Sequence, residues 1–289
     1  MPLSRFIRTA AWMTILSGAD AGFAQENVEP PPAIGIIIDD LGYNRQDGLR
    51  ALALPGPIAY SVLPHTPVAV MLAEKAHELG KDVLLHLPME ALDRNRLLGE
   101  GAIMNAMTRQ EVFDTIVGNL ASVPHAIGVN NHMGSLLTAE RQPMQWVMEA
   151  LRDQGNLIYV DSRTTTHTVA GMAAHDQQLP FISRDVFLDN EGGEDYVRRQ
   201  FCELIARARQ EGHALAIGHP RDDTLRVLEE ILPNLDQHGV RLVRLPDLLT
   251  LQQRRHPSWQ LSSSHWPRAV KNWKRSPSSI CCGAPASPL

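Results

Sequence analysis

The chain has 289 residues, 44% hydrophobic and 20% charged, with a formal net charge of −5 and a pI near 6.2. That length supports one large α/β domain, or two small ones, with a full core, and nothing in the charge suggests a nucleic-acid partner. Among the three cysteines there is no Cys-x-x-Cys pair, so any metal must be held by histidine and carboxylate.

The first residues read as a secretory leader. Arg5 and Arg8 supply positive charge, Ala10 to Leu16 is a short apolar stretch, and Ala21-Gly22-Phe23-Ala24 is rich in small residues. A signal peptide is expected over residues 1–24, with an apolar run far too short to span a bilayer. The mature protein is then expected outside the cytoplasm, secreted or periplasmic in a Gram-negative cell, with no membrane span. Residues 25–33 are polar and Pro-rich and read as a linker.

Ile34-Gly35-Ile36-Ile37-Ile38 opens the folded part as a strand buried on both faces, with Asp39 and Asp40 at its carboxyl end. Two adjacent carboxylates there repel and lose hydration, so something cationic should offset them; alternatively the pair caps the next helix. Ile58 to Leu63 is the second strand, Val68 to Leu79 a helix, and Val83 to Leu87 the third strand. Thr108 and Glu111 form a capping box for a helix running to about Ala121. Ala126 to Val129 is a strand, Gln142 to Gln154 a helix, and Leu157 to Val160 the fifth strand, ending at Asp161.

Phe181-Ile182 and Val186-Phe187-Leu188 are short strand candidates, followed by an amphipathic helix around Tyr196 to Ala208. Ala214 to Gly218 is a strand ending at His219. Thr224 to Gln237 reads as helical despite Pro233. Val240 to Leu245 reads as the last strand, with a short helix from Pro246. Strands alternating with helices argue for an α/β fold with a mostly parallel sheet, about seven strands in a distorted (β/α) barrel of glycoside hydrolase or deacetylase type. The domain is expected over residues 34–251, and residues 252–289, rich in Ser, Pro, Lys and Arg, as a disordered basic tail.

A parallel sheet brings its strand ends to one rim. Here the rim carries Asp39-Asp40, His65, His86, Asn130-Asn131-His132, Asp161-Ser162-Arg163, Asp189-Asn190 and His219. Histidines facing an aspartate pair make a ligand set for zinc or a similar divalent ion. Each residue also has a plainer reading. His86 can be a hydrogen-bonded rim residue, Asn130 and Asn131 turn residues, and Asp161 with Arg163 a structural ion pair.

Ile36-Ile37-Ile38-Asp39-Asp40-Leu41-Gly42, Leu85-His86-Leu87-Pro88-Met89-Glu90, Gly128 to Ser135, Asp161-Ser162-Arg163-Thr164 and Ile217-Gly218-His219-Pro220 resemble the divergent polysaccharide deacetylase family, relatives of the NodB-type polysaccharide deacetylases. The likeness spans about Ala33 to Leu249, and Asn-Asn-His-Met-Gly-Ser is its most specific piece. It implies a metal-dependent hydrolase, with a divalent ion such as zinc and an acetylated carbohydrate substrate. The resemblance gives Asp39 as base, Asp40, His86 and His132 as metal ligands, and His219 as general acid. It makes Asp161 the acid that orients the catalytic groups; beside it, Asn130, Asn131 and Arg163 are read from their place on the rim as candidate substrate contacts.

The parent pattern places a second His four residues after the first, where this chain has Glu90; His132 is taken in its place. That departure leaves a second hypothesis open, a non-catalytic envelope protein binding a glycan or a partner in the same cleft. A third, a glycoside hydrolase pairing Asp39 with Asp161 or Glu90, needs no metal and leaves the histidines unexplained.

Overall fold

Ile34 to Ile38 form the centre of β1 (Ala33–Leu41), and the sheet is laid out on both sides of it. The computed structural model describes residues 30–255, so the expected leader, most of the linker and nearly all of the expected tail lie outside the described residues. The strands after β1 are β2 (Ala59–Val62), β3 (Asp82–Met89), β4 (Ala126–Met133), β5 (Ile158–Asp161), β6 (Phe181–Ser183), β7 (Val186–Phe187), β8 (His213–Gly218) and β9 (Arg241–Leu242). The helices are α1 (Arg45–Leu52), α2 (Ala69–Glu78), α3 (Arg109–Ser122), α4 (Arg141–Asp153), α5 (Ala170–Asp176), α6 (Glu194–Glu211), α7 (Asp222–Ile231) and α8 (Leu245–Arg255).

The strand order is β6-β5-β4-β3-β2-β1-β8-β7, with β9 beside the start of β1. Every pairing is parallel, and the described residues form nine strands where about seven were expected. The sheet curls because its two ends are tied together. Only Arg184 and Asp185 separate β6 from β7, which lie at opposite ends of the strand order. The Arg184 amide donates to Asp161 O on β5 (3.0 Å), and the Asp185 amide donates to Leu215 O on β8 (2.8 Å). Adjacent residues thus bond to the strands just inside both edges, and the sheet becomes an incomplete barrel.

Side chains alternate across the sheet. Ile34, Ile36, Ile38, Tyr60, Val83 and Leu85 face outward into the layer under the helices. Ile37, Ala59, Leu84, Val160, Leu215 and Ile217 face inward, and Leu245 and Leu248 of α8 close this inner core. A Cβ on Gly35 would stand 2.7 Å from Leu248 Cδ2, so the bare backbone lets α8 seat. Buried Asp82 accepts from Arg244 Nε (2.9 Å) and from the Leu245 amide (3.1 Å), which pins the start of α8.

Three local expectations change. The helix expected over Thr224 to Gln237 ends at Ile231, and Pro233 falls in a 3-10 segment, Leu232–His238, with Asn234 outside helical geometry. Proline lacks the N–H of an α-helix and clashes with the preceding turn. The last strand shrinks to Arg241–Leu242 because α8 already begins at Leu245. The helix after β1 is capped by Asn44, whose Oδ1 accepts from the Gln46 and Asp47 amides at 2.9 and 3.2 Å. Asp39 and Asp40 are therefore free of capping. The capping box of α3 does form, with Thr108 Oγ1 accepting from the Glu111 amide and Glu111 Oε2 accepting from the Thr108 amide.

Candidate metal centre

Consecutive residues of a regular strand face opposite sides, so Asp39 and Asp40 should diverge. A bulge brings them together. Ile38 pairs with Tyr60 and Leu41 with Val62, which is three steps on β1 against two on β2. The extra residue is absorbed at Asp40, whose φ is +58°. Asp39 follows Ile37 on the inner face, and the bulge turns Asp40 to the same side.

The other strands complete the mouth of the barrel by simple alternation. His86 lies two residues beyond Leu84, and His219 two beyond Ile217, both inner-core residues. In the β3–β4 register His86 sits beside Asn130 and Pro88 beside His132.

Asp40, His86 and His132 each offer one ligand atom to a common point. Asp40 Oδ1 is 3.1 Å from His86 Nε2 and 3.0 Å from His132 Nδ1, and the two nitrogens are 3.2 Å apart. Close as these contacts are, Asp40 Oδ1 is buried and has no aligned hydrogen-bond donor. Three lone-pair atoms at this spacing approximate one face of a tetrahedral site, whose edges are about 3.3 Å for bonds near 2.0 Å. His86 is buried, whereas His132 and Asp40 are partly exposed, so the set opens toward the cleft. The residues fit a divalent ion.

The charges around the set agree with that fit. Burial by itself would raise the Asp40 carboxyl, but His132, His86 and His219 outweigh it and hold the group far below the usual carboxylate range. Burial would likewise lower His86, but Asp39 and Asp40 push it up to about 9. Asp39 moves the other way. Its burial dominates and raises its pKa, against the opposing influence of His86, His219 and Asn130. The pocket holds two carboxylates with unlike proton affinities, and it calls for positive charge.

Asn130, expected to meet substrate, is wholly buried and fully engaged with protein. Its Nδ2 donates to Asp39 Oδ1 (2.8 Å), and its Oδ1 lies 2.8 Å from His86 Nδ1 and accepts from Ser61 Oγ. Asn131 faces the opposite side of β4, as alternation requires. Its Oδ1 accepts from the Ser162 amide (2.9 Å), and its Nδ2 donates to Met133 O (2.8 Å). Neither amide is left over for a ligand.

Asp161 is corrected in the same way. It follows Tyr159, an outer-core residue, and so points away from Asp39. Its Oδ1 accepts from the Arg163 amide (2.8 Å) and its Oδ2 from Thr168 Oγ1 (3.0 Å); burial raises its pKa against the opposing pull of these two bonds. The carboxylate that orients His219 is Asp189, which the sequence places on the rim without a role. Asp189 Oδ1 is 3.0 Å from His219 Nδ1, and Oδ2 accepts from the His219 amide and from Thr224 Oγ1, both at 2.7 Å. Burial opposes the charge on Asp189, but these bonds win and lower its pKa. His219 is raised despite its burial, because Asp189, Asp40 and Asp39 surround it. Its Nε2 faces Asp40 Oδ2 at 3.5 Å.

Arg163 is exposed beside Ser162, with φ +49°. Arg184 stretches beneath that turn, its Nε donating to Ser162 O (2.7 Å) and its Nη2 to Arg163 O (3.0 Å), and its guanidinium lies over the Phe187 ring. Phe187 in turn packs against the His219 ring. His65 is paired with Asn119 and Glu90 accepts from the Asn105 amide, so neither joins the ligand set. Ser61 could have been placed inside from its position two residues after Ala59. The Arg184 contacts depend on barrel closure and leave no local signal.

A sequence model described as divergent polysaccharide deacetylase matches residues 36–249. The chain is similar to the uncharacterized protein YibQ of Escherichia coli (strain K12), with 40% identity over 220 residues, 76% of this chain and 68% of YibQ. An uncharacterized protein of Haemophilus influenzae is 36% identical over 215 residues, 74% of this chain and 76% of that protein. Among solved structures, an uncharacterized protein of Agrobacterium tumefaciens C58 superposes with a TM-score of 0.72 at 20% identity, covering 76% of this chain and 89% of that one. A protein of Enterococcus faecalis V583 gives 0.53 at 16% identity, covering 75% and 99%. The last two are likenesses of fold.

Proposed function

The chain belongs to the divergent polysaccharide deacetylase family, and from that premise we propose that it is a metal-dependent hydrolase that removes acetyl groups from a polysaccharide or amino sugar. The observation that carries this reading is the convergence of Asp40, His86 and His132 beside the buried carboxylate of Asp39 at the mouth of the barrel. Two imidazoles and one carboxylate favour zinc among the common divalent ions. Held there, the ion would supply Lewis-acid polarisation of the acetyl carbonyl and lower the pKa of water in the cleft.

The chain's own groups divide the proton work. Asp39 is the base: its burial raises its proton affinity, and it takes a proton from the water that attacks the carbonyl carbon. His219 is the acid. Asp189 fixes its Nδ1 side, which leaves Nε2 to protonate the amine or alkoxide as the bond to the acetyl carbon breaks. Arg163, exposed at the edge, is the remaining candidate for contact with the sugar. The leader expected over residues 1–24 supports a place outside the cytoplasm, the periplasm in a Gram-negative cell, where envelope glycans are within reach.

The test is acetate release by the zinc-loaded full chain from an N-acetylated amino-sugar oligomer and from an O-acetylated polysaccharide. Acetate should appear with at least one of them. His219→Ala should retain zinc and lose about 10²- to 10⁴-fold in rate. A fully loaded protein that releases no acetate from either class would favour glycan or partner binding in the same cleft.

A further inference from the structure

We propose that Asn130 is a positioning residue that couples the metal ligand His86 to the base Asp39 through one side-chain amide. This inference rests on the metal site read above. The amide sits between the two groups, with Nδ2 2.8 Å from Asp39 Oδ1 and Oδ1 2.8 Å from His86 Nδ1. An ionised carboxylate only accepts, so it fixes which end of the amide faces Asp39. The carbonyl end must then face His86, and the proton of that ring must sit on Nδ1.

The consequence is a chosen tautomer. With Nδ1 protonated and bonded, the lone pair of His86 is on Nε2, the atom 3.1 Å from Asp40 Oδ1 and 3.2 Å from His132 Nδ1. Ser61 Oγ donates to the same Asn130 oxygen, and Ser162 Oγ lies 3.4 Å from its nitrogen. Both ends of the amide are therefore held from outside the metal set. Asn130 is buried on the inner face of β4, directly beside His86 in register, so a rotation that served one partner would fail the other. One residue thus ties metal loading to the direction of the base.

Two substitutions separate its functions. Asn130→Asp keeps an oxygen acceptor for His86 Nδ1 but faces Asp39 with a second acceptor in place of a donor. Asn130→Ala removes both contacts. Zinc affinity, measured on the full chain by competition with a chromophoric chelator, should stay within about threefold of wild type for Asn130→Asp and fall about 10- to 100-fold for Asn130→Ala. Turnover at saturating zinc should fall about 100-fold or more in both, through kcat rather than KM. The affinity measurement needs no substrate, so it stands whether or not acetate release is found. Wild-type zinc affinity in Asn130→Ala, or an equal loss of zinc in the two variants, would overturn the proposal. Should the Ala variant fail to fold, Asn130→Asp decides alone: zinc kept with turnover lost supports the coupling, and zinc lost contradicts it.

Discussion

His219 lies between two carboxylates on opposite sides of its ring, Asp189 at Nδ1 and Asp40 at Nε2. Asp189 both aims the imidazole and raises its pKa. A general acid works only while protonated, so its pKa sets the alkaline limb of the rate profile. Asp189→Asn removes a negative charge that favours the protonated ring, and the limb should move to lower pH than in wild type. The maximal rate should fall about 10-fold or more, with KM little changed. An unmoved limb would separate Asp189 from the acid. Asp161 supplies the opposite expectation. It is buried on the outer side of the sheet, bonded to the Arg163 amide and Thr168; in Asn the amide oxygen can still accept from the Arg163 amide, while its NH2 donates to the Thr168 hydroxyl. Asp161→Asn should keep zinc content and turnover within a few fold, and a loss like that of Asp189→Asn would restore it to the catalytic set.

At the scale of elements, α8 closes the inner core of the barrel with Leu245 and Leu248. Leu248 is fully buried against Gly35 and Leu215. Leu248→Ala should cost about 2–5 kcal/mol in urea unfolding and leave zinc affinity as it was; a variant that unfolds normally but loses zinc would show that the floor shapes the site. The strands of this core were legible because a strand buried on both faces is a dense apolar run, as in Ile34 to Ile38 and Val83 to Leu87. The convergence of Asp40, His86 and His132 followed because strand ends share a rim. Alternation, carried through, would also have turned Asp161 and Asn131 outward, since each lies two residues after an outer-facing residue, Tyr159 and Val129. What no local pattern carried was the bulge at Asp40. It depends on the β1–β2 register, a long-range pairing, and it alone puts both aspartates on one side. The short extent of β9 was hidden for a similar reason: Val240 to Leu245 is apolar enough for a strand, but Asp82 recruits Leu245 as the start of α8.

For the whole molecule, the candidate metal site joins elements far apart in sequence: Asp40 on β1, His86 on β3 and His132 on β4. An ion there acts as a cross-link present only in the folded state. Binding that favours the native chain adds about 2.7 kcal/mol when free metal is 100 times its dissociation constant. Zinc should therefore raise the midpoint of thermal unfolding, chelation should lower it, and His132→Ala should respond to neither. The barrel itself is closed by the Arg184 and Asp185 amides and their strand partners, so the apo chain should remain folded. The most direct test is elemental analysis of the purified chain, with Asp40→Ala beside it. The site predicts about one zinc or similar ion per wild-type chain and its loss in Asp40→Ala with the fold intact. A wild-type chain that takes up no divalent ion even after reloading, or an Asp40→Ala variant that keeps a full equivalent, would contradict it.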